Sequence, residues 1–202
     1  MDVARPYTDL IPGARGLLLA TLVQLETPVT VRALARHAGI SPQGALRLVN
    51  ELSATGLITT QPAGRALLVS LNREHIAAEP LTALVSLRGR LVERLRTELG
   101  DWQQLAGAWL FGSTARGDGN PESDIDLLLV GDSTVDDEDW VETTARLTSR
   151  VHAWTGNQVQ LVEHTRRSFA QLVKQRNPLV ASLRTEGIPL TPGTRGLLRG
   201  AA

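Results

Sequence analysis

One stretch constrains this chain more than any other: Leu110-Phe111-Gly112-Ser113-Thr114-Ala115-Arg116-Gly117, then Asp118 to Glu122, then Ser123-Asp124-Ile125-Asp126-Leu127-Leu128-Leu129-Val130. Ala108 to Phe111 reads as a short buried strand stopped by a glycine, and Ile125 to Val130 as a second strand. Gly112 lets the backbone approach an anion closely. Ser113 begins a helix whose unpaired N–H groups point at that anion, and its hydroxyl adds a donor. Asp124 and Asp126 stand two apart on a strand, so both carboxylates leave one face. Two hard oxygen ligands so placed suit Mg²⁺ bridging to a triphosphate. Arg116 can either contact phosphate or hold the loop by pairing with a carboxylate. Further on, Gln158 to Val162 predicts a third strand, preceded by a helix from about Asp137 to Trp154. A last helix runs from about Arg167 to Arg184, broken near Pro178.

The phrase resembles the minimal nucleotidyltransferases of the polymerase-β superfamily, whose pattern is Gly-Ser, two residues, Arg-Gly, a short loop, then Ser-Asp-x-Asp-Leu. The match is gap-free and extends with its flanking elements from about Asp101 to Arg184. The resemblance implies nucleotide binding by Gly112, Ser113, Arg116 and Ser123. It implies that Asp124 and Asp126 are the catalytic carboxylates and hold a nucleotide-bound Mg²⁺, for displacement at the α-phosphate with release of pyrophosphate. The family pattern carries a third carboxylate in a later strand, shortly after a glycine. The corresponding phrase is Gly156-Asn157-Gln158-Val159-Gln160-Leu161-Val162-Glu163, which puts Gln160 in the carboxylate's place. An amide has no charge to share with a metal and cannot act as a general base. Glu163 lies three residues on, so in a regular strand it points to the opposite face. The expectation is a site that binds Mg-NTP with transfer weak or lost.

The N-terminal part has a different grammar. Leu17 to Leu25 is a dense apolar run ending before Thr27-Pro28. Thr30 and Ser41 are placed to cap two further helices, with Gly39 closing the first of them and Gly56 the second. Pro42 suits a first helical position. Val31, Leu34, Ala35 and Ala38, then Ala45, Leu48, Val49 and Leu52, supply their buried faces. Leu57 to Thr60 and Ala66 to Leu71 flank the turn-rich Gln61 to Arg65 and predict a hairpin. This order resembles the winged helix-turn-helix family, most closely bacterial repressors. In that family the third helix enters the major groove. Its outer face here is Gln43, Leu46, Arg47 and Asn50. The resemblance makes Gln43 and Asn50 readers of base edges, Arg47 a reader of guanine or a phosphate contact, and Arg65, near the wing tip, a contact to backbone or minor groove.

Between the two, Leu81, Leu84, Leu87, Leu91 and Leu95 predict one linking helix over 79–100. The expected fold is therefore α/β and two-domain: a winged helix over 1–78, the linking helix, a nucleotidyltransferase-like mixed sheet with flanking helices over 101–190, and a flexible tail over 191–202. The absence of cysteine excludes disulfides, thiolate zinc sites and thiol catalysis. No stretch approaches the ~18–20 apolar residues of a membrane span, and no signal-peptide pattern opens the chain, so a cytoplasmic location is expected. The 21 basic residues balance 21 acidic ones, which argues against nucleic-acid binding through bulk charge but not against a local basic face. His37, His75, His152 and His164 have no metal-ligand spacing, and the run Asp136 to Asp139 reads as the acidic first turn of a helix.

Three functions compete. The first is a DNA-binding regulator tuned by Mg-NTP. The second is an active enzyme modifying a hydroxyl on a protein or small molecule; the resembled family includes antitoxins that modify a partner toxin and enzymes that modify antibiotics. The third is a non-catalytic interaction protein. The expected partners are DNA and NTP, a toxin or other partner protein in the enzyme reading, and a second copy of the chain as a homodimer. Gln160 moves the weight towards the regulator.

Overall fold

The computed structural model describes residues 1–132 and 138–199; Asp136 and Asp137 of the acidic run lie outside the described residues. The chain forms two compact units, one of Arg5–Leu87 and one that joins Met1–Ala4 to the described residues from Arg88 onward.

The first unit contains α1 (Tyr7–Leu10), α2 (Ala14–Gln24), β1 (Val29–Thr30), α3 (Val31–Ala38), α4 (Pro42–Ala54), β2 (Ile58–Ala63), β3 (Ala66–Leu71) and α5 (Ala78–Val85). Local chemistry sets the helix ends. The Thr30 and Ser41 hydroxyls accept from the amides of Ala33 and Gly44, caps worth about 1 kcal/mol each. Gly39 closes α3 in the left-handed conformation, at φ 67°. The faces expected to be buried are buried: Leu34, Ala35, Ala45, Leu48, Val49 and Leu52 share one core with Leu18, Leu22 and Val69. A three-stranded antiparallel sheet of order β1-β3-β2 covers it. β2 runs further than the sequence suggests, through Pro62 to Ala63. It is an edge strand, where a missing N–H costs little, and it returns through the two-residue turn Gly64-Arg65.

The second unit contains α6 (Leu87–Gly100), β4 (Leu105–Phe111), α7 (Gly112–Arg116), β5 (Ile125–Gly131), α8 (Glu138–Thr155), β6 (Val159–Thr165), α9 (Arg166–Lys174), α10 (Pro178–Thr185), β7 (Ile188–Pro189) and a 3₁₀ helix over Thr194–Arg199. Its sheet has the order β6-β5-β4-β7. β5 and β6 are parallel, joined through α8; the other pairs are antiparallel. β5 feeds two cores by simple alternation. Ile125, Leu127 and Leu129 pack with Leu95, Trp140 and Leu147, while Leu128 and Val130 pack with Trp109, Phe169, Val180 and Leu198.

Three expectations need correction. The linking helix predicted over 79–100 is two helices, interrupted at Ser86 (φ −91°, ψ 9°). The leucine repeat serves two separate cores: Ala78 and Leu81 belong to that of the first unit, and Leu91, Val92, Leu95 and Leu99 to that of the second. Residues 1–4, assigned by sequence to the winged helix, pack in the second unit, where Val3 is buried. The tail is not loose over 194–199, since Thr194 is fully buried and its hydroxyl accepts from the Ala108 amide. The break expected near Pro178 is present: α9 ends at Lys174, and the Asn177 side chain caps α10 ahead of Pro178. Among the described residues, no helix is long and apolar enough to cross a membrane.

Candidate functional site

β4 and β5 bring the two halves of the Gly-Ser and Asp-x-Asp phrase together. Phe111 is in register with Asp126, so the chain leaves β4 and turns into α7 directly over that carboxylate. Gly112 makes the turn at φ 68°. A Cβ there would lie 2.8 Å from Asp126 Cγ and closer still to Oδ2, so only glycine fits, on steric as well as conformational grounds. No side chain caps the start of α7, so its first amides lack a capping acceptor. Gly119 packs against the hydroxyls of both Ser113 and Ser123, either of which would lie within 3.4 Å of a Cβ built on it.

The carboxylates are unequal. Asp124 is exposed and Asp126 half-buried. Burial, and then the neighbouring Asp124, push the Asp126 carboxyl above its ordinary range, with Arg116 opposing. Ser123, predicted to bind nucleotide, has a structural task in the loop: its hydroxyl accepts from the Asn120 amide at 2.9 Å. Arg116 pairs with two carboxylates. Its Nε donates to Asp118 at 3.0 Å and its Nη1 to Glu186 at 3.1 Å, which raises its own pKa. Glu186 is held below the ordinary carboxylate range, first by the hydrogen bond from the Ser182 hydroxyl and then, against a smaller effect of burial, by Arg116.

Across the parallel pair, Asp126 is in register with Gln160 and Ile125 with Val159. Neighbouring strands lie about 4.8 Å apart, and directly paired residues share a face, so Gln160 is the side chain beside Asp126. Glu163 pairs with Leu129 on the other face and accepts a hydrogen bond from Trp140 Nε1. His164 is four residues beyond Gln160, against Ser168 and Phe169, and burial lowers its pKa. Among the described residues there is no group of three or more His, Cys, Asp or Glu able to hold a metal ion.

Sequence reasoning missed four contributors. Asn157 is buried, and its Nδ2 donates to the carbonyls of Ser123 and Pro121, fixing the loop that carries Asp124. Arg88 donates to the Ala115 carbonyl at the end of α7. Asp118 and Glu186 hold Arg116. Their signals are an asparagine after a glycine and charged residues in helices or loops, which composition alone does not single out.

In the first unit, Gln43, Arg47 and Asn50 are exposed on the outer face of α4, and Arg65 is exposed in the hairpin turn. Glu51 shares that face, 2.7 Å from Arg15 and 3.9 Å from Arg47.

Residues 92–186 match the nucleotidyltransferase domain family, and residues 11–66 match the MarR family. The chain joins a MarR-family winged-helix domain to a nucleotidyltransferase domain. No curated protein matches it. Among solved structures, RV1404 from Mycobacterium tuberculosis is similar at 17% identity and a TM-score of 0.36, over 51% of this chain and 72% of that one. So loose a correspondence transfers nothing from that protein. The nucleotidyltransferase match covers the Gly112–Ser113 turn, the aspartate pair and Gln160 in one domain, and the MarR match covers α4 and Arg65 in the other.

Proposed function

We propose that this chain is a DNA-binding regulator whose nucleotidyltransferase domain binds an NTP with Mg²⁺ and transfers nucleotide weakly or not at all. The observation that carries this reading is the parallel register of Asp126 with Gln160. Asp124 and Asp126 would hold a divalent cation: partial burial and the neighbouring Asp124 disfavour the charge on Asp126, and a bound cation would relieve that repulsion. When bound, the metal supplies charge neutralisation on the triphosphate. The amides opening α7 and the Ser113 hydroxyl bind phosphate, while Arg116, engaged by Asp118 and Glu186, supports the loop. Gln160 can donate and accept hydrogen bonds but cannot take a proton from an attacking hydroxyl. In the other domain, Gln43, Arg47 and Asn50 face a DNA groove and Arg65 the backbone or minor groove.

Calorimetry and labelled-nucleotide transfer test the reading together. NTP binding is expected only with a divalent metal, and Asp124→Asn combined with Asp126→Asn should weaken it at least about 100-fold, since even outer-shell changes at metal sites cost 10- to 100-fold. Incubation with labelled NTPs and the product of the neighbouring gene should give little or no incorporation, and Gln160→Asp should raise it. Robust wild-type transfer, abolished by Asp124→Asn, would instead establish an active nucleotidyltransferase acting on a protein or small-molecule hydroxyl. The intact Gly112 turn and aspartate pair favour that second reading.

A further inference from the structure

Arg88 occupies an unusual position. It is the first residue of the second unit's main segment, two places after the break at Ser86. Its half-buried guanidinium reaches α7, where Nη2 donates to the Ala115 carbonyl at 2.5 Å. Nη1 lies 2.6 Å from where a Cβ on Gly117 would stand. Gly117 ends α7 at φ 79°, so its lack of a side chain serves both the left-handed turn and the seat of Arg88.

α7 has five residues, no side-chain cap at its start and one turn of internal bonding. A helix so short does not hold itself, because nucleation fixes more dihedrals than its hydrogen bonds offset. A cation bonded to the last carbonyls is the favourable charge for that end and orders the turn from behind. The other end of the same turn is Gly112-Ser113, seated on Asp126. One guanidinium therefore joins the backbone just after the Ser86 break to the element that meets phosphate.

We infer that Arg88 is a positioning residue for the nucleotide site, and that nucleotide occupancy is felt at the α5–α6 break through the Arg88–Ala115 bond. The inference rests on the nucleotide-binding reading and adds a route between that site and the DNA-binding unit. Binding of nucleotide and binding of DNA are then coupled, and by linkage each changes the affinity for the other by the same factor.

The test uses the full-length chain, ATP or GTP with Mg²⁺, and a duplex selected from a random pool by the wild type. In the wild type, Mg-nucleotide should change DNA affinity about fivefold or more. Arg88→Ala should weaken nucleotide binding and bring that factor close to one, while DNA affinity without nucleotide stays unchanged. Arg88→Lys keeps the charge without the fork and should restore part of the coupling. Arg94→Ala, on the same helix, removes a stacking contact to Trp154 and should lower stability while leaving the coupling intact. If Arg88→Ala loses its fold, Arg88→Lys alone carries the comparison. Full coupling in the folded Arg88 variants, or a wild type that binds both ligands without mutual effect, overturns the inference and leaves the nucleotide site standing. A wild type that binds no nucleotide overturns the site itself.

Discussion

The two candidate surfaces are built on opposite plans. In the winged-helix unit, Gln43, Arg47, Asn50 and Arg65 are exposed on a scaffold fixed by other residues, Arg47 with only a loose ion pair to Glu51: Ala45, Leu48, Val49 and Leu52 seat α4, and a two-residue turn sets Arg65. In the nucleotidyltransferase unit the functional groups are themselves structural. Gly112 is pressed against Asp126, Arg116 is divided between two carboxylates, and Asn157 holds the Asp124 loop from beneath. The first arrangement separates fold from function, so its side chains can change without disturbing the domain. The second shares atoms between them, so most changes register in both.

Gly112→Ala should break this pattern most severely. It places a Cβ against the Asp126 carboxylate at a φ that costs a non-glycine residue about 1–3 kcal/mol before any clash is counted. Melting temperature and Mg-nucleotide affinity should fall together. A variant of normal stability and affinity would mean that α7 is not seated on Asp126.

Arg47→Ala and Asn50→Ala should behave in the opposite way. Each should leave stability within about 0.5 kcal/mol, as exposed substitutions do, while losing about 1–3 kcal/mol of discrimination at one base position. Arg65→Ala should weaken binding evenly across sequences and reduce the salt slope by about one. Binding assays at several salt concentrations separate the two effects. Loss of stability on the scale of Gly112→Ala would show that the α4 face is not the free surface described.

What the sequence made legible follows the same division. Caps, helix faces and the hairpin of the winged-helix unit depend on neighbours within a few residues, and Thr30, Gly39, Ser41 and Pro42 each act where their local chemistry places them. Strand alternation puts Glu163 on the face opposite Gln160, where it accepts from Trp140; of the two aspartates only Asp126 lies in β5, because the strand begins at Ile125 and Asp124 stands in the loop before it. The break at Ser86 was hidden because a leucine repeat at helical spacing does not say which core each leucine enters. The attachment of residues 1–4, the burial of Thr194 and the bonds of Arg88 and Asn157 all join positions far apart in sequence, with no periodicity to announce them.

The finest separation between the plans lies in the pH dependence of stability. Asp126 is the clearest case of a group that costs the fold something: burial and Asp124 both disfavour its charge. A carboxyl whose folded pKa lies above its unfolded value contributes stability that is present at pH below the unfolded value, about 3.9 for Asp. That contribution is lost as pH rises through the folded value. Asp126→Asn removes this titration while leaving a side chain of the same shape beneath Gly112. With chelator present, the variant should therefore be the more stable protein at pH 7, and its advantage should shrink as pH is lowered towards 4. With saturating Mg²⁺ and NTP the order should reverse, because only the wild type gains stability from ligand binding. Arg47→Ala should show no such crossing, since it leaves the Asp126 carboxyl and its surroundings in place. Thermal melts between pH 4 and 8, with chelator and with Mg-nucleotide, decide the matter. A variant less stable than wild type throughout would mean that the carboxylate of Asp126 strengthens the fold, and that its burial is structural rather than held in readiness for a metal.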